Sequence, residues 1–193
     1  MNNGPAQTRI WCTITVASLA LLTPLFVTAA APKPKLEFDH PMVRVRLLPR
    51  SPEQIAAFYE ARGFPKPAIA ALKKQCFITV GIRNKSKSIV WLDMSTWRFE
   101  SADGPVTRLD RNYWKSYWKA LPLEQRFQST FRWTLIPESL DFRPDEAEGG
   151  NIILPRTGKP VSIRAQFLTG ADKTGPVIDI KIDDVHCAED PAS

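Results

Sequence analysis

Polar and apolar positions alternate cleanly in several runs of the chain. Val43, Val45 and Leu47 share one side of a short run, with Arg44 and Arg46 on the other. Val161, Ile163, Ala165 and Phe167 alternate with Ser162, Arg164 and Gln166. Ile178, Ile180 and Ile182 do the same with Asp179, Lys181 and Asp183. A side-chain period of two marks a half-buried strand. Further strands are predicted over 77–82, 88–99, 129–136 and 152–154. The run 88–99 is apolar on both faces, as a central strand is, and puts Trp91 and Trp97 on one face with Asp93 between them. In 129–136, Phe131, Trp133 and Leu135 share a face.

Helical spacing interrupts this pattern. Ser51-Pro52-Glu53-Gln54 supplies an N-cap serine, a proline at the first helical position and a polar residue three on, opening a helix that ends at Gly63. A second short helix is predicted over 67–74. In 111–121, Tyr113, Trp114, Tyr117, Trp118 and Leu121 recur at helical spacing, which predicts an amphipathic helix. About seven strands at short spacing, separated by Pro and Gly turns, point to an antiparallel sandwich. Seventeen prolines against nine glycines fit many short elements better than a helical bundle.

The run 81–168 resembles exported immunoglobulin-like domains. It goes strand, Asn84-Lys85-Ser86 turn, strand, Asp103-Gly104 turn, then an acidic Pro/Glu/Gly loop before further strands. The fold expected is mainly β, an antiparallel immunoglobulin-like β-sandwich with short helical insertions. The Cys…Trp…Cys spacing of antibody domains is missing, and the resemblance carries no catalytic residue with it.

The N-terminus changes the arithmetic. Residues 1–9 carry Arg9 as their only charge, 10–27 are uncharged with a Leu-rich centre, and Thr28-Ala29-Ala30 follows. That is the layout of a secretory signal peptide over 1–30. Pro24 and the alanine cluster favour cleavage over an uncleaved membrane anchor. Cys12 lies inside the apolar core, against a lipid-anchored lipoprotein. Removing Arg9 takes one unit from the net charge of +6 and leaves +5. Removing Cys12 leaves Cys76 and Cys187, 111 residues apart, which in an exported chain read as one disulfide. The expected organisation is a leader (1–30), an extended lead-in (31–41), one sandwich domain (42–187) and a disordered tail (188–193). The expected location is periplasmic or secreted.

Candidate chemistry is sparse. Ser116 and Lys119 fit S-x-x-K, and Lys173-Thr174-Gly175 fits K-T-G, but no S-D-N lies between them and a mature chain of about 163 residues is short for serine β-lactamase chemistry. Glu138, Asp141, Asp145, Glu146 and Glu148 form an acidic loop, read as solvated; as paired carboxylates they would be the other route to a cell-wall-active hydrolase. His40, Met42 and His186 lie at opposite ends of the domain sequence and would make a copper site only if they met in space. No cofactor is expected. Nucleic acid is excluded as a partner, since the chain is exported and has no basic run or recognition helix.

Aromatic residues beside cations are the most informative feature. Arg111, Lys115 and Lys119 run along the predicted 111–121 helix next to Trp114, Tyr117 and Trp118. Arg44, Arg46, Arg132 and Arg164 fall on outward faces of predicted strands, and would form a basic sheet face if those strands were neighbours. Either surface suits an envelope protein or an anionic surface, and a membrane itself only if the leader is retained. The sequence reading is a non-catalytic binding or assembly module of the cell envelope.

Overall fold

The computed structural model describes Met1 and residues 36–189; the predicted leader, residues 31–35 of the lead-in and the last four residues of the predicted tail lie outside the described residues. The chain opens with β1 (Glu37–Asp39) and β2 (Val43–Arg50), then α1 (Pro52–Glu60) and α2 (Lys66–Lys73). β3 (Gln75–Asn84), β4 (Val90–Asp93), β5 (Arg98–Ser101) and β6 (Gly104–Pro105) follow. Two helices come next, α3 (Arg111–Ala120) and α4 (Gln125–Thr134). β7 (Ser139–Phe142), β8 (Ala147–Pro155), β9 (Val161–Thr169) and β10 (Ile178–Val185) complete it.

The architecture is mainly antiparallel β, in two sheets with few helices. The first sheet has the order β1-β2-β3-β8. In the second, β9 pairs with β10 on one side and with both β4 and β5 on the other, while β7 and β6 lie outside β4 and β5. Val45 and Leu47 stand opposite Ile82 and Val80, and Ile78 opposite Ile152, so the strands of the first sheet bury a common face. That face and Val90, Leu92, Ile163, Phe167 and Ile180 of the second sheet form one core. The opposite face of the first sheet is covered around Phe77 and Ile153, and there the four helices make a second core.

The predicted strand 88–99 is two strands. From Leu92 to Arg98 the chain uses six steps where its partner, from Arg164 to Phe167, uses three. The surplus is a single 3-10 turn, Met94–Thr96, whose cap Asp93 accepts hydrogen bonds from the Ser95 N–H at 2.9 Å and the Ser95 hydroxyl at 2.6 Å. These bonds hold the Asp93 carboxyl below its ordinary range. The turn also separates the two tryptophans: Trp97 is buried between the sheets, and Trp91 is half-buried on the outer face under the Lys173 ammonium.

The predicted strand 129–136 is α4. Phe131 and Leu135 are spaced for a helix as well as a strand, and Phe127 extends that spacing four residues back. The helix buries Phe127 and Phe131 and leaves Trp133 88% exposed. The acidic loop is likewise ordered as β7, a turn and the start of β8. Within it the Glu146 carboxylate accepts from the Arg143 N–H at 2.8 Å. The lead-in is paired, since β1 lies along β2, and residues 188–189 of the predicted tail are tied to Arg156. Asn84, in a glycosylation-like Asn-Lys-Ser, is fully buried, donating to the Ser88 and Phe142 carbonyls, so that acceptor pattern is closed.

α1 begins with the predicted capping box: the Gln54 N–H donates to the Ser51 hydroxyl, and the Ser51 N–H to the Gln54 side chain. Its inner residue Tyr59 is fully buried, with its hydroxyl 2.8 Å from Thr134 Oγ1. Thr134 donates its own proton to the Phe131 carbonyl at 2.7 Å, so Tyr59 is the donor between them. Burial pushes the Tyr59 phenol well above its ordinary value, and it stays protonated. Tyr59→Phe is therefore expected to lower the unfolding free energy by about 1 kcal/mol, the net value of one buried hydrogen bond. Urea unfolding of the variant against the parent measures this.

Candidate functional site

Trp114 and Trp118 fall four residues apart on α3, and Asp110 caps the helix by accepting the Tyr113 N–H at 2.8 Å. The two indoles stack at 4.9 Å, and the Phe131 ring of α4 meets both edge-on, at 4.9 and 5.3 Å. They are 1% and 2% exposed. The outward contact face expected of Trp114 and Trp118 is thus corrected: helical spacing of bulky aromatics turned them onto the sheet. Tyr117 is half-buried against both, and Lys115 and Lys119 are exposed.

The expected arginine face is also corrected. Arg44 and Arg46 lie on β2, paired with Glu37 and Asp39 of β1. Hydrogen bonds from Arg44 and Lys85 hold the Asp39 carboxyl far below its ordinary range. Arg164 lies on β9 in the other sheet, facing Glu100 at 3.9 Å. Arg132 is on α4. Three of these four arginines are ion-paired, on β2 of one sheet and β9 of the other, and the fourth is on a helix, so no basic sheet face forms from them.

Arg132 belongs instead to a cleft of about 560 Å³ between α3 and α4. Trp114, Trp118 and Phe131 line it, with Arg111, Lys115 and Arg132 as its cations. Of the five buried side-chain nitrogens without a hydrogen-bond partner among the described residues, three belong to residues of this cleft, though the atoms themselves are closed off from it: Arg111 Nε, Trp114 Nε1 and Trp118 Nε1. An unpartnered buried donor costs about 1–3 kcal/mol, so three in one place is unusual. Arg111 reaches only the Leu135 and Ile136 carbonyls, both at 3.4 Å. Glu138, the carboxylate nearest to balancing it, is held by Arg108 in a two-pronged pair at 3.1 and 2.5 Å. Burial, and then the neighbouring charge of Arg132, push the Arg111 guanidinium below its ordinary value. The sequence reading set Arg111 and Lys115 beside Trp114 and Trp118 on one helix but put Arg132 on a separate strand face, because α4 was read as a strand, and so did not bring Arg111 and Arg132 together.

The other candidate chemistry is dispersed. His40 Nδ1 accepts the Met42 N–H at 3.2 Å, His186 is 2.8 Å from Asp184, and Cys187 is bonded to Cys76. His40 and Met42 lie beside Lys85, at the end of β3, whereas His186 adjoins Cys187, which is bonded to Cys76 at the start of β3, so the copper reading of His40, Met42 and His186 is corrected: the three do not meet. Among the described residues no group of three or more His, Cys, Asp or Glu is placed to hold a metal ion. Ser116 is exposed on the side of α3 away from Trp114. Lys173-Thr174-Gly175 forms the β9–β10 turn in the second sheet, with Thr174 bonded to Asp172. A layer of strands separates it from α3. The Cys76–Cys187 bridge is present, with the Cα atoms 5.4 Å apart. No helix among the described residues is long and apolar enough to cross a membrane.

No family model matches the chain, and no curated protein matches it. Among solved structures it is similar to a Bacillus subtilis protein, ycdA, named as a lipoprotein. The TM-score is 0.40 and the identity 13%, over 78% of this chain and 39% of that one. The chain thus spans well under half the length of that protein, and a likeness at this level carries no functional argument.

Proposed function

We propose that this chain is an exported, non-catalytic binding module of the cell envelope and that the α3/α4 cleft is its contact site. The observation that carries this is the cleft itself, a concavity between α3 and α4 with three cations on its lining, of which Lys115 and Arg132 have no ion pair or hydrogen bond from their side chains among the described residues. The leader pattern and the single bridge support export to an oxidising compartment. Strand order supports the immunoglobulin-like type. β2, β3 and β8 lie in the order of strands A, B and E of that sandwich, and β10, β9 and β4 in the order G, F and C.

A photo-crosslinking residue at Lys115, on the cleft, against one at Arg143, in the β7–β8 turn, tests this in cells exporting the protein. The expected result is a discrete added mass on the Lys115 variant and none on the Arg143 variant. Equal labelling at both positions, or none at Lys115, removes the cleft as the contact site.

A further inference from the structure

We infer that β10 pairs antiparallel with β10 of a second copy of this chain, joining their second sheets across a two-fold axis at Ile180. This surface is separate from the cleft, and the inference does not rest on it. A strand at a sheet edge carries a row of unpaired N–H and C=O groups, and natural edges are kept short, bulged or covered. β1, β6 and β7 have only three, two and four residues. β8 is covered where Leu109 and Ile136 donate to the Ile153 and Asn151 carbonyls. β10 has eight residues and, among the described residues, β9 as its sole strand neighbour. No backbone hydrogen bond leaves its other side among the described residues; β1 comes near but is bonded to β2. The ladder to β9 is regular from Ile178 to Ile182, and only beyond it does a bulge follow, with Asp184 at φ of +60°.

Charge complementarity names a second copy as the occupant. Residues directly opposite in an antiparallel pair point to the same side, so unlike charges there attract and like charges repel. An axis at Ile180 sets Asp179 opposite Lys181 twice, once from each copy, and Ile178 opposite Ile182. The isoleucines of both copies stay on the core side, and Asp179 and Lys181 on the exposed side. The neighbouring registers fail. An axis at Asp179 opposes that carboxylate to itself. One at Lys181 opposes the ammonium to itself and Asp179 to Asp183. One at Ile182 runs into the bulge, and one at Ile178 leaves the strand at Pro176. Within its own copy Lys181 reaches Asp183 at 2.7 Å, and Asp179 accepts from Gln166 at 2.8 Å. Both contacts are at the surface, so either side chain can turn to the opposite copy at little cost.

Sedimentation equilibrium of the purified protein tests this. One added strand pair makes a small interface, so the dimer is expected to dominate at about 0.3 mM and the monomer at about 3 μM. Asp179→Lys and Lys181→Asp each set like charges opposite in both pairs, and each is expected to weaken the dimer by about tenfold or more. An equimolar mixture of the two variants is expected to associate again, within about threefold of the parent, because each mixed dimer sets unlike charges opposite in both pairs. A variant that had merely lost its fold would not recover on mixing. Asp141→Lys, on β7, is the control, and is expected to dimerise within about twofold of the parent. A protein that stays monomeric at about 1 mM overturns the inference. So does a dimer that the two single variants leave unchanged, or one that mixing them does not restore.

Discussion

Converting both Cys76 and Cys187 to alanine lowers the unfolding free energy by about 4–5 kcal/mol, the loop-entropy value for a closure of this length. The bridge spans 111 residues of sequence. It joins the start of β3, in the first sheet, to the residue two beyond β10, in the second. Between these points lies every element from β3 to β10, so the unfolded chain loses more freedom from this link than from a short one. Alanine is chosen because Cys76 is 1% exposed, and a serine hydroxyl there would add its own desolvation cost. With a denaturant slope of about 2 kcal/mol per molar in urea, the midpoint is expected to fall by roughly 2 M. The parent protein in reductant is expected to unfold at the same midpoint as the variant. A midpoint within about 0.3 M of the oxidised parent would show that the bridge restricts nothing the unfolded chain does not already lose.

That bridge was legible in the sequence by counting, because the third cysteine lies in the apolar leader. The strands with strict alternation, β2, β9 and β10, were legible for a similar reason: each has one buried face, and a period of two can satisfy only one register. β4 and β5 read as one strand because both halves follow the same partner, and the three surplus residues carry no turn-forming Gly or Pro. The only sign was Asp93, a carboxylate in an otherwise apolar run, whose Asx-type cap makes the turn. α4 was misread because Phe131, Trp133 and Leu135 fit a strand, while Phe127 and Phe131 fit a helix. Only burial decides between them, and Trp133 lies outside it. With α4 misplaced, the cleft could not be assembled, although its α3 half was in view. Spacing alone showed aromatics and cations on one helix. It could not show that the indoles face the sheet, and that the cations on the rim face Arg132.

Gly150→Ala is expected to destabilise the fold by about 3 kcal/mol, the upper range for overpacking a core that cannot yield. A Cβ built at Gly150 would lie 2.6 Å from Ile136 Cα and 2.7 Å from the Leu135 carbonyl carbon, closer than real side chains approach. Both obstacles are backbone, so no rotamer change relieves them. The approach is close because the chain leaving α4 runs alongside β8: Leu135 bridges Asn151, and the Ile136 N–H donates to the Asn151 carbonyl at 3.2 Å. Glycine is needed here for its missing side chain, not for a left-handed conformation. Displacing residues 135–136 also moves the carbonyls that Arg111 reaches, and with them the end of α4 that carries Arg132. Gly158→Ala, in the β8–β9 connection with φ of +67° and open space at its Cβ position, is the control. Its cost is local backbone strain of about 1 kcal/mol, and it leaves the cleft untouched. Gly150→Ala is therefore expected to shift the Trp114 and Trp118 indole resonances in the folded protein as well as the urea midpoint, and Gly158→Ala the midpoint alone. If Gly150→Ala lowers the midpoint no more than Gly158→Ala, the α4–β7 segment yields, and residues 135–136 do not set the geometry of the cleft.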